Sequence, residues 1–70
     1  MLRRSILEAL RAKYEAEIAE ADATANIYLE NSVGIGEHPQ HLEEVNKQIE
    51  KIANAKEKLE VLDEFEPAKG

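Results

Sequence analysis

Two amphipathic stretches of nearly equal length, parted by one cluster of helix breakers, constrain this chain more than any other feature. Gly34, Gly36 and Pro39 fall close together near the middle of the 70 residues, while Pro67 and Gly70 sit at the C-terminus. Glycine and proline are the strongest local punctuators of secondary structure. Their placement allows one connection and one end, so the chain reads as two helices and a single domain.

The first helix is predicted over about 3–31. Leu7, Leu10, Tyr14, Ile18, Ala21, Ala25 and Tyr28 recur at steps of three and four, the spacing of one helical face. Ser5 followed by Glu8 fits a capping box. Arg3 and Arg4 oppose the positive end of the helix dipole, which predicts that they precede the regular helix. The turn is predicted over 32–38 and the second helix over about 39–65. Its stripe runs Leu42, Val45, Ile49, Ile52, Ala55, Leu59, Leu62 and Phe65. Pro39 suits the first helical position, where its missing N–H costs nothing, and Glu43 and Glu44 complement the dipole near that end. Residues 66–70 have nothing to pack against and are expected to fray.

A short connection sets neighbouring helices antiparallel. With the turn centred near Ile35, Ile18 meets Ile52, Ala21 meets Ile49, Ala25 meets Val45 and Tyr28 meets Leu42. Small residues then face branched ones, which lets the layers interdigitate. Arg11 falls near Glu60, Glu15 near Lys56 and Glu20 near Lys51, whereas Glu8 approaches Asp63 unfavourably. The expected fold class is all-α, an antiparallel two-helix hairpin of coiled-coil type. The core or oligomer-interface positions are Leu10, Tyr14, Ile18, Ala21, Ala25 and Tyr28 on the first helix. On the second they are Leu42, Val45, Ile49, Ile52, Leu59 and Leu62.

Composition decides what such a hairpin must do next. Hydrophobic residues are 43% of the chain, and ten of them are alanine. The remaining large apolar residues cannot all be buried in one seam between two helices. Small scaffolds without disulfide or metal need partners, and this chain has no cysteine. Ile6, Ile27, Leu29 and Val61 lie beside the main stripes, and Ala12, Ala16, Ala19 and Ala23 widen the smooth face of the first helix. The expectation is a homodimer closing an antiparallel four-helix bundle.

The connecting segment is the most distinctive text. Gly34 is placed to end the first helix with positive φ, Ile35 to fold back on Leu29, and Gly36 to change direction again. Together with Val33, Ile35 is expected to close the end of the core. The run Asn26-Ile-Tyr-Leu-Glu-Asn-Ser-Val-Gly-Ile-Gly-Glu-His-Pro39 and the later Lys58-Leu-Glu-Val-Leu62 carry a family resemblance. Over about residues 20–65 the chain resembles small uncharacterised helical-hairpin proteins of tailed phages of the marine cyanophage type. Those proteins carry proline where this chain has Ser32 and aspartate where it has Gln40. These departures bear on the stiffness of the turn and the cap of the second helix, and leave the hairpin unaffected. The resemblance implies a phage or marine microbial origin and brings no chemistry with it.

Several residue groups have spacings that suggest sites and also admit plainer readings. His38 and His41, with Glu37 and Glu44, have a spacing that can hold a divalent metal. The plainer reading is one histidine capping or hydrogen-bonding the turn and one on the surface, so no metal is expected. Gly34-Ile-Gly36 before a helix start resembles an anion cradle. No strand, third glycine or lysine completes it, and Glu37, Glu43 and Glu44 repel phosphate. The functional turn residues are therefore structural: Gly34, Ile35, Gly36, His38 and Pro39. The carboxylate pairs Glu15/Glu17 and Glu43/Glu44 have no expected cleft in which one pKa would separate from the other. No catalytic residue and no cofactor is expected.

Charge is uneven. Residues 1–14 sum to +3, residues 15–44 to −8 and residues 45–70 to −1, for a net −6. Overall acidity argues against nucleic-acid binding, and no apolar run is long enough to span a membrane. The basic, amphipathic residues 1–14 have the composition of a transit peptide. Leu7 and Leu10 continue the stripe, however, so the segment is expected to stay. With no secretory signal, the expected location is the cytoplasm, which for a phage protein means the host cytoplasm or the virion. The function expected is a small non-catalytic structural or protein-interaction protein acting as a homo-oligomeric bundle. The alternative is an acidic inhibitor or DNA mimic that uses segment 15–44.

Overall fold

The computed structural model describes residues 2–30 and 39–66. It consists of two α-helices, α1 (Leu2–Glu30) and α2 (Pro39–Asp63), packed side by side as a rod of 53 × 18 × 15 Å. Contacts run in opposite directions along the two helices. Arg11 reaches Asp63, Tyr14 lies under Lys58 and Tyr28 meets His41. The chain is thus an antiparallel helical hairpin. Residues 31–38, including Gly34, Ile35, Gly36 and His38, lie outside the described residues, and so do 67–70. Pro39 opens α2, as its fixed φ and missing N–H favour.

The helix ends differ from expectation in ways the hairpin explains. α1 begins at Leu2, so Ser5 and Glu8 lie inside the helix rather than forming a capping box. Glu8 instead pairs with Arg4 one turn back, Oε2 to Nε 3.6 Å. Arg3 and Arg4 are helical despite the dipole, because the antiparallel fold brings the negative end of α2 alongside. The Arg3 guanidinium donates to the carbonyl of Phe65, the role a cation plays at a helix C-terminus.

α2 stops at Asp63, two residues earlier than predicted, and tightens into a last turn. Its N–H donors reach back three residues, from Glu64 to Val61 (3.0 Å), Phe65 to Leu62 (2.9 Å) and Glu66 to Asp63 (3.3 Å). Glu66 was expected to fray but is half-buried and holds Arg11.

The core between the helices is thin. Among the described residues Ala21, Ala25, Ala55, Leu62 and Gln48 are buried, and no large side chain is buried completely. Leu7, Leu10, Tyr14, Ile18 and Tyr28 on α1, with Val45, Ile52 and Leu59 on α2, are half-buried. Two expected core positions do not lie in the seam: Leu42 is 75% exposed and Ile49 is 55% exposed. Gln48 and Ala55 occupy the inner line instead.

The reason is geometric. At 3.6 residues per turn, positions seven apart nearly align. The α2 stripe is wider than one neighbouring helix can cover. The hairpin closes on the line His41–Gln48–Ala55–Leu62 and leaves the line Leu42–Ile49–Lys56 outside. Tyr28 accordingly packs edge-on against His41, with ring centroids 5.5 Å apart, instead of against Leu42.

Candidate interaction surface

The two broad faces of the hairpin differ in chemistry. Helical geometry places Glu17, Glu20 and Thr24 of α1 on the same side as Lys51, Asn54 and Lys58 of α2. They line a shallow groove of about 500 Å³ whose floor includes Ala21 and Gln48. Sequence reasoning expected no cleft. The groove exists because Ala21 fills so little of the space beside Gln48. Glu17 accepts a hydrogen bond from Lys13 Nζ at 3.0 Å. That bond, with the charge behind it, holds the Glu17 carboxyl below the ordinary glutamate range and raises the Lys13 ammonium. A general acid needs the opposite shift.

Lys58 lies 5.5 Å from the centre of the Tyr14 ring, a cation–π contact at the groove's edge. Expected pairing between Glu20 and Lys51 becomes co-lining of this groove.

The opposite face carries Arg11 and the outer line of α2. Arg11 Nη2 donates to Asp63 Oδ1 at 2.7 Å and to Glu66 Oε2 at 2.8 Å. These bonds, Glu66 first, push the guanidinium above its ordinary value. The expected partner, Glu60, lies one turn too early for the register adopted. By taking Asp63, Arg11 also removes the clash predicted between Asp63 and Glu8.

Along this face α2 presents Leu42, Val45, Ile49, Ile52 and Leu59, interrupted by Lys56. Val45, Ile52 and Leu59 are half-covered by α1, and Leu42 and Ile49 are bare. On α1 the same face is mixed, with Arg11, Glu15, Ile18, Asp22 and Leu29; Leu29 is exposed. A second exposed apolar group, Leu2, Ile6, Val61 and Phe65, gathers on the groove side at the end where α1 begins.

No described group of three or more histidines and acids is placed to hold a metal. Of the pair His38 and His41, His41 packs on Tyr28, and His38 lies outside the described residues. No helix is long and apolar enough to cross a membrane among the described residues. No family model, curated protein or solved structure matches the chain.

Proposed function

We propose that this protein is a small non-catalytic structural or interaction module that works as a homo-oligomeric helical bundle, each chain supplying a hairpin. One observation carries the reading. The α2 stripe is apolar over a wider arc than α1 covers, so Leu42 and Ile49 stand in water beside a core that buries mostly alanine. Helices facing a bundle core carry such a broad stripe, whereas a two-helix seam needs a narrower one. A hairpin with so little buried apolar surface gains its remaining stability from association.

The resemblance to tailed-phage hairpin proteins supports a phage origin, with the virion or the host cytoplasm as its place of action. Mass measured by light scattering at micromolar concentration tests the association. A mass twice that of the chain, or a higher multiple, agrees with the proposal. A fully helical monomer overturns it.

A further inference from the structure

Resting on that bundle reading, we infer that the occupant of the bare α2 face is a second copy of this chain docked antiparallel, α2 against α2. Three observations converge on the occupant and its direction.

The first is the pattern. Leu42, Ile49 and Lys56 are spaced by seven, and so are Val45, Ile52 and Leu59, three residues further on. Together they form the alternating three-and-four seam of a coiled coil. The inner line His41–Gln48–Ala55–Leu62 is already turned toward α1, so this seam belongs to a different neighbour. It spans about 26 Å at 1.5 Å per residue, enough for several interlocking layers. The α1 flank of the same face is interrupted by Arg11, Glu15 and Asp22, which makes α2 the apolar part of the contact.

The second is Lys56. A single lysine in a core position sets register and orientation at some cost in stability. With two copies parallel, Lys56 lies directly against Lys56 of the other copy, and like charges meet in a partly dry seam. With the copies antiparallel, Leu42 pairs with Leu59, Ile49 with Ile52, and Lys56 with Val45. The lysine stem then covers apolar surface while its ammonium reaches the rim.

The third is the charge along the rod. Residues 15–44 sum to −8 and residues 1–14 to +3. Parallel docking sets the acidic halves of both hairpins side by side. Antiparallel docking lays each acidic half against the nearly neutral end of the other copy, where the bases of residues 1–14 lie beside the acids of the α2 C-terminal end. Avoiding like charge in this way fixes orientation more than it adds affinity.

The absence of cysteine makes a clean test possible, since a Glu64→Cys variant takes a single nitroxide label. Glu64 is exposed and lies just past the end of α2. In an antiparallel dimer centred between Ile49 and Ile52, the two labels sit about 40 Å apart along the axis, from the 1.5 Å rise per residue. In a parallel dimer, axes about 10 Å apart keep the labels within about 25 Å of each other. Pulsed dipolar spectroscopy on a sample of known mass is expected to give the long distance.

A dimer with the short distance overturns the antiparallel inference alone. A monomer with no dipolar coupling overturns the bundle reading as well. A second variant, Lys56→Leu, is expected to tighten the dimer by at least about tenfold, because it completes the seam. An unchanged dissociation constant places Lys56 outside the interface and overturns the docking face.

Discussion

Two lines run along α2, offset by a single residue, and they meet different fates. His41, Gln48, Ala55 and Leu62 face α1, and of these Ala55 is only 1% exposed. Leu42, Ile49 and Lys56 stand one step around the helix and are exposed. By hydropathy alone the outer line has the stronger claim to burial, since Leu and Ile outrank His and Gln.

The inner line wins because of how closely two helices can approach. Ala55 on α2, and Ala21 and Ala25 further along α1, are small residues at the seam that let the backbones come together. Tyr14 and Tyr28 flank the two α1 alanines and find Lys58 and His41. Arg11 then fastens the rotation through Asp63 and Glu66. Small residues and polar anchors set the hairpin, and Leu42 and Ile49 are left exposed.

Charging the outer line should have the largest effect. A Leu42→Glu/Ile49→Glu double variant is expected to weaken self-association by at least about 100-fold, the scale set by losing central apolar anchors. Sedimentation across a dilution series reads the change. An unaltered dissociation constant would mean that the outer line faces only water.

Substitution on the inner line should act on the hairpin itself. Ala55→Leu forces the helices apart and is expected to cost about 1–3 kcal/mol by urea unfolding. Ala12→Leu, on an exposed stretch of α1, should stay within about 0.5 kcal/mol. Equal effects at the two alanines would remove the distinction between inner and outer lines.

Gln48 should respond in the opposite sense. It is 7% exposed and keeps an amide on the inner line, between His41 and Ala55. Gln48→Leu is expected to raise stability by about 1 kcal/mol, since an apolar side chain of similar size no longer takes an amide out of water. A loss of stability would show that the amide is held by the fold.

Arg11→Gln should lower the melting temperature by less than Ala55→Leu does. The difference should shrink in high salt, because the pairs are partly exposed. A salt-independent loss would assign Arg11 a packing role.

The smallest effect expected is on pH. Glu17 has its pKa depressed by Lys13, so its contribution is present above the unfolded value and fades as pH falls through the folded one. Lys13 has its pKa raised, so its share holds below the unfolded value and fades as pH rises through the folded one. Glu17→Gln should therefore flatten the acid limb of the melting-temperature profile slightly. An unchanged acid limb would remove this pair from the balance.

Much of the hairpin is legible in the sequence. Helical periodicity locates both elements, and Pro39 marks the start of α2 because its chemistry admits few other places. The rotation of α2 is not legible in the same way. A stripe that includes 41, 42, 45, 48 and 49 on one side of a helix does not say which meridian faces the first partner. That choice depends on side-chain volumes across the seam and on Arg11 finding two carboxylates. Hydropathy places Leu42 and Ile49 in the hairpin's seam, and the packing leaves them outside it. The groove was invisible for a related reason, since a pattern of apolar steps records what is covered and not the gap that an alanine leaves. The early start of α1 was hidden because Arg3 is stabilised by the far end of α2, a contact that local dipole reasoning does not contain.

We propose that this hairpin is half of a bundle whose other half is a second chain. The melting temperature followed by circular dichroism over a hundredfold range of protein concentration tests it most directly. If folding and association are coupled, the melting temperature rises steadily with concentration. A melting temperature that does not move, with full helicity at the lowest concentration, would mean that the hairpin is stable as a single chain.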